Sequence, residues 1–171
     1  MEALLIIDMI NDFMHPDGVL YCGDAVRGII PALEAHLSRF RAEGKPVIYL
    51  CDHHQEDDPE FEAFPKHAVA GTWGAEVIEE LSPREGEIIV PKTRFSGFFR
   101  TELEDILRRL GIKRVCLTGV CTSICVMDTA ADAFFRNFKI TVFSDAVGDF
   151  DQEMHRFALR RMERIYLAEI K

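Results

Sequence analysis

No apolar run in this chain of 171 residues is long enough to span a bilayer. The opening segment, Met1-Glu2-Ala3-Leu4-Leu5-Ile6-Ile7-Asp8, has no basic leader, and its apolar part is too short for a secretion signal. A cytoplasmic protein with no membrane partner is the expectation. Basic residues are scarce, 20 Lys and Arg against 29 Asp and Glu, for a formal net charge of -9. That balance disfavours nonspecific binding to nucleic acid or anionic lipid and leaves a small molecule as the expected partner. The five cysteines, Cys22, Cys51, Cys116, Cys121 and Cys125, are odd in number and show no paired CxxC spacing. A zinc ribbon and a disulfide scaffold are therefore not suggested, and reduced thiols are expected. A glycine-rich phosphate cradle is missing too, because the first apolar strand runs into Met9-Ile10-Asn11-Asp12-Phe13. Neither a dinucleotide-binding turn nor a P-loop fits that segment. There is no internal repeat, low-complexity tract or linker.

What is present reads as one globular domain over residues 1–171, with 48% hydrophobic and 29% charged residues. Short runs rich in Ile, Val and Leu alternate with segments of helical period, the pattern of a parallel sheet covered on both faces, an α/β/α sandwich. Six strands are expected: Ala3 to Asp8, Pro46 to Cys51, Glu87 to Pro91, Arg114 to Val120, Lys139 to Phe143, and a weaker one from Arg164 to Ala168. Helices are expected over Asp24 to Ala42, Gly74 to Leu81, Arg100 to Leu110, Ser123 to Arg136 and Asp151 to Met162. Two segments resist the alternation, Asn11 to Gly23 and His53 to Thr72. In an open parallel sheet, loops beyond the carboxyl ends of the strands are where ligands bind.

Reactive residue types gather at those ends. Cys125 follows a glycine-ended apolar strand, in Thr118-Gly119-Val120-Cys121-Thr122-Ser123-Ile124-Cys125, where a helix should begin. Unpaired N–H groups and partial positive charge at a helix start lower a thiol pKa and can hold an oxyanion. A buried, inert cysteine is the plain alternative. Asp8 closes the first strand and Lys92 follows the third, so a base, a cation and a nucleophile stand at three strand ends. Read singly, the first is a loop-fixing aspartate and the second a solvated lysine. A second constellation, Asp52-His53-His54, Glu60 and His67, has donor types that suit Zn²⁺, Mn²⁺ or Fe²⁺. His53 should point away from it if strand geometry persists, and Glu56, Asp57 and Asp58 read as residues that solvate the loop. An incidental polar loop is the alternative. His155, alone on a late helix, reads as structural or solvated.

With these residues in place, the chain resembles the nicotinamidase branch of the isochorismatase-like cysteine hydrolases over nearly its whole length. The resemblance rests on Asp8-Met9-Ile10-Asn11-Asp12-Phe13, on Asp52 and His54 before Phe64-Pro65-Lys66-His67, on Lys92 before Phe95-Ser96-Gly97-Phe98, and on Gly119-Val120-Cys121-Thr122-Ser123-Ile124-Cys125-Val126. It implies a three-layer fold with sheet order 3-2-1-4-5-6 and a triad of Asp8, Lys92 and Cys125. It also implies a cis Val120-Cys121 peptide and an oxyanion hole from the N–H groups of Cys121 and Cys125. A metal site of Asp52, His54, Glu60 and His67 is implied as well, with Phe13, Phe64 and Phe95 walling a pyridine pocket and Trp73 packing nearby. The activity implied is hydrolysis of nicotinamide to nicotinate and ammonia through a thioester, in NAD salvage, with zinc as the first choice of metal. Ser123 departs from the pattern, since relatives usually carry aspartate there. Relatives are often oligomeric, and Phe98, Phe99, Phe134 and Phe135 are candidates either for such an interface or for the core. Two rival readings are a hydrolase of the same fold acting on another amide, a ureido compound or a vinyl ether, and a noncatalytic ligand- or metal-binding module.

Overall fold

Strand β1 (Glu2–Ile7) is buried from Ala3 onward because both of its faces meet a core. Ala3, Leu5 and Ile7 point into one apolar cluster of 25 residues, and Leu4 and Ile6 into a second of 21. Alternation along a strand sends neighbours to opposite faces, so a continuous apolar run is what a central parallel strand needs. The computed structural model describes residues 1–171. Its six strands are β1, β2 (Val47–Asp52), β3 (Ile88–Lys92), β4 (Arg114–Val120), β5 (Lys139–Gly148) and β6 (Glu169–Ile170), all parallel, in the order β3-β2-β1-β4-β5-β6. This is the expected order. Six α-helices accompany them: α1 (Asn11–Met14), α2 (Asp24–Arg27), α3 (Ile30–Ala42), α4 (Leu103–Arg109), α5 (Met127–Phe135) and α6 (Gln152–Ile165). No helix is long and apolar enough to cross a membrane.

Several expected elements differ. The first long helix is broken into α2 and α3 around Gly28 and Ile29, with Pro31 in the first turn of α3. Within an unbroken helix Pro31 would clash with the Arg27 carbonyl, whereas in a first turn its missing N–H costs nothing. The helix expected over Gly74 to Leu81 is instead two single 3₁₀ turns, Trp73–Ala75 and Glu79–Leu81. Between them Val77 bridges to Ile10, and the Asn11 and Ile78 N–H groups donate to Glu76 and Met9 carbonyls at 2.9 and 3.0 Å. That distant pairing outcompetes local helical bonds. At the C-terminus α6 runs on to Ile165, so the last strand begins at Glu169 rather than Arg164. The helix expected from Ser123 opens as a π turn over Thr122–Val126, in which the Val126 N–H reaches the Cys121 carbonyl at 3.2 Å, and becomes α-helical only at Met127.

The chain turns back from β3 to β4, so the strand order reverses between β1 and β4. Asp8 and Cys121 flank that point, with Asp52 and Lys92 paired in register at the ends of β2 and β3. Gly119 makes the junction tight. A Cβ there would lie 2.0 Å from the Ile7 carbonyl oxygen, and its φ of +103° is one that side chains avoid.

Candidate active site

Asp8 is fully buried, with a φ of 52° in the left-handed region that costs a non-glycine residue energy. Two bonds hold it there. Its N–H donates to the Leu50 carbonyl at 2.8 Å, and its Oδ1 accepts the Asp52 N–H at 2.8 Å. The other oxygen, Oδ2, stands 2.7 Å from Lys92 Nζ without an aligned hydrogen bond, which leaves it open toward the thiol. Lys92 Nζ also donates to Asp52 Oδ1 at 2.5 Å and reaches Cys125 Sγ at 3.7 Å. The ligand atoms of Asp8, Asp52 and Cys125 all lie within 4.8 Å of one another. The three residues of the expected triad are thus brought together, with Asp52 as a fourth member.

One cation faces two carboxylates in a dry site, and the titrations follow. Burial, then the charge of Asp52, pushes Asp8 up to about 6 against the pull of Lys92. Burial opposes charge on Lys92, but Asp52 and Asp8 outweigh it and hold the ammonium well above its usual range. Burial also works against the Asp52 carboxylate, yet Lys92 and His54 keep it ionised below the usual range. For Cys125 the expectation of a lowered pKa is reversed. Burial pushes the thiol well up, and the neighbouring carboxylates add to this against Lys92. The residue therefore rests as a thiol with a base beside it.

The nucleophile turn is held from behind. Buried Asp149 accepts the Ser123 N–H at 2.7 Å, so a carboxylate caps this turn even though residue 123 is a serine. His155 is not free: its Nδ1 bonds Thr122 Oγ1 at 2.9 Å. The Val120-Cys121 peptide is cis, as the resemblance implied, and the Cys121 N–H donates to no protein acceptor. An uncommitted donor beside the nucleophile is what an oxyanion hole requires.

Asp52 links this cluster to the second one. Its Oδ2 lies 3.7 Å from His54 Nε2 and 4.0 Å from His67 Nε2, and the three residues form a buried group. His54 Nδ1 donates to Asp58 Oδ2 at 3.0 Å, and His67 Nδ1 to the Pro65 carbonyl at 2.6 Å. Both rings thereby present Nε2 inward, and the buried Nε2 of His54 has no partner at all. An orphaned imidazole nitrogen beside carboxylates fits a divalent cation. Glu60 lies 4.0 Å from His67 Nε2 but groups with His54 and Asp58, on the outer side. His53 takes no part, as strand alternation required.

Asp58 corrects the reading of a solvated loop. It is buried, and although burial opposes its charge, the Glu60 N–H, His54 and Arg94 bring its pKa down to about 2. Arg94 binds it at 3.0 and 3.2 Å and reaches Glu60 at 3.6 Å. Asp58 directly before Pro59 is a turn-opening signal visible in the sequence, whereas nothing there points to Arg94.

Both clusters open into a cavity of about 380 Å³, the size of a small-molecule site. Phe13, Phe64 and Phe95 line it as expected, the last two edge to face at 6.3 Å. Tyr21, Cys22, Ile124 and Phe150 also line it and carried no sequence signal. Trp73 lies outside, edge-on to His15 at 5.0 Å. Of the four candidate interface residues Phe98 is buried, Phe99 and Phe135 are exposed, and Phe134 packs partly against the core.

Comparison with known proteins agrees with this geometry. The structure of nicotinamidase/pyrazinamidase PncA from Bacillus subtilis is 36% identical, with a TM-score of 0.94 over 99% of this chain and 98% of that one. Pyrazinamidase of Pyrococcus horikoshii in complex with zinc is 33% identical, with a TM-score of 0.92 over 99% and 98%. N-carbamoylsarcosine amidase from Thermoplasma acidophilum is 37% identical, with a TM-score of 0.91 over 99% and 95%. The isochorismatase domain family matches residues 2–170, and this chain belongs to that family.

Proposed function

We propose that this isochorismatase-family hydrolase is an amidohydrolase acting on pyridine carboxamides, converting nicotinamide to nicotinate and ammonia. The observation that carries the reading is the shared cavity, in which the Cys125 thiol and the imidazole–carboxylate cluster face one aromatic-walled space. The likeness to a nicotinamidase and to a zinc-bound pyrazinamidase supports it. Asp52, His54 and His67, with Glu60 outside them, are the residues that would hold a divalent cation, zinc in the first instance. Such a cation would supply a Lewis acid for a ring nitrogen and so help orient the amide.

Asp8 takes the proton of Cys125 as the sulfur attacks the carboxamide carbon, and Lys92 offsets the charge that moves onto sulfur. The N–H groups of Cys121 and Cys125 receive the oxyanion. Asp8 returns its proton to the departing nitrogen, ammonia leaves, and a thioester remains on Cys125. Asp8 then deprotonates a water that attacks this thioester, releasing nicotinate and restoring the thiol.

A ureido substrate is the second reading, favoured by the likeness to N-carbamoylsarcosine amidase. Ammonia release from nicotinamide and from N-carbamoylsarcosine, compared side by side, separates the two. The expected result is turnover of nicotinamide that disappears after chelation and in Cys125→Ala, with the fold of the variant unchanged by circular dichroism. Nicotinamide left intact by reduced, zinc-supplied protein would refute the substrate assignment, and activity retained in Cys125→Ala would refute the nucleophile.

A further inference from the structure

Cys22 and Cys121 take no part in the proposed chemistry through their sulfurs, yet those sulfurs stand 3.6 Å apart in contact with each other. Their segments are remote in sequence: Cys22 lies in the loop between α1 and α2, and Cys121 directly follows β4. Both line the cavity that holds Cys125, so a small solute that enters it reaches them. Cys51 and Cys116, buried in the same core cluster as Cys22, do not line the cavity.

From this geometry we infer that Cys22 and Cys121 form a dithiol modification site, oxidised to an intramolecular disulfide by low-molecular-weight disulfides that enter the substrate cavity. Disulfide sulfurs sit about 2 Å apart, so closing the pair asks for about 1.5 Å of combined movement. The backbone allows it on the Cys22 side, where Gly23 follows with a φ of 100° and nothing within 4 Å of where a Cβ would be. In this contact either sulfur can be the donor, and the accepting sulfur ionises more easily. With Cys22 as the acceptor, its thiol is drawn below the usual range against burial. Cys22 thiolate attacks the oxidant's S–S bond, giving a mixed disulfide and one free thiolate. Cys121 then loses its proton and attacks the Cys22 sulfur, expelling the second thiol. The protein loses two electrons and two protons, and the small disulfide gains them as two thiols.

The bond would tether Cys121, whose N–H is the oxyanion donor in the mechanism proposed above. The consequence for turnover rests on that mechanism, whereas the cross-link itself does not. The test is to incubate the reduced chain with oxidised glutathione, block remaining thiols with an alkylating reagent, and map peptides by mass spectrometry without reduction. A peptide pair joining Cys22 to Cys121 is expected in the unmodified chain and in Cys125→Ala. It should be absent in Cys22→Ser and lost on adding dithiothreitol. Glutathione left as a stable adduct on either residue, or modification confined to Cys125, overturns the assignment. Ammonia release from nicotinamide, measured on the same samples, should fall in proportion to the cross-linked fraction and recover on reduction. Full turnover in fully cross-linked protein overturns the tie to Cys121, and a protein inactive on nicotinamide still yields the peptide result.

Discussion

At the scale of single residues, the site depends on protons held where burial puts them. Asp8 must be ionised to accept the Cys125 proton, and its pKa is about 6. The rate constant kcat/KM should therefore rise with pH through about 6 and level off above it, since Lys92 stays charged far beyond that range. Asp8→Asn should lower kcat by about 10²–10⁴-fold and remove this acidic limb, measured as ammonia release across a pH series. A limb of unchanged midpoint in that variant would assign the titration to another group. Asp58 acts one step further out, orienting His54 through Nδ1. Asp58→Asn should weaken zinc retention by about 10–100-fold in chelator competition, a readout independent of turnover. Unaltered retention would leave Asp58 only a loop-fixing role. The residue types of both clusters were legible in the sequence because strand ends announce themselves. The resting thiol of Cys125 was not, because its proton is held first by burial and then by the carboxylates of Asp8 and Asp52, which no local pattern displays.

At the scale of elements, legibility followed locality. β1, β2 and β4 could be read as continuous apolar runs because both of their faces are buried. The extended stretch around Val77 could not be read, since its partner is Ile10 in a distant loop. The same holds for the loops that build the cavity. Asp12 ties them together: its Oδ2 accepts the Ala68 N–H at 2.7 Å and its Oδ1 the Val19 N–H at 3.2 Å. Gly74 leaves room for that carboxylate, as a Cβ there would meet Asp12 Oδ2 at 2.2 Å. Asp12→Ala strands the buried Ala68 N–H and should cost about 1–3 kcal/mol, read as a lower urea midpoint with an unchanged slope. Substrate affinity should suffer as well, because Phe13 neighbours Asp12 in α1 while Phe64 and His67 sit on the loop it holds through Ala68. A variant with native stability would show that water replaces the carboxylate without loss.

At the scale of the whole molecule, two apolar clusters lie on opposite faces of one sheet, with β1 contributing to both. Neither can dissolve without exposing the other through the strand they share. Leu4→Ala and Leu5→Ala, one on each face, should each cost about 2–5 kcal/mol. Both should shift a single transition in which circular dichroism and Trp73 fluorescence coincide, and two separate transitions would overturn the one-domain reading. The sheet also acts as a ruler. Asp8, Asp52, Lys92 and Cys125 are each delivered by a different one of four neighbouring strands. Adjacent strands lie about 4.8 Å apart, so the backbone ladder fixes the spacing of the strand ends, and the long Lys92 side chain and the turn that carries Cys125 close the remaining gaps. Exchanging a side chain at a strand end changes the reagent and keeps the interval, so one scaffold can be refitted for different bonds without being rebuilt.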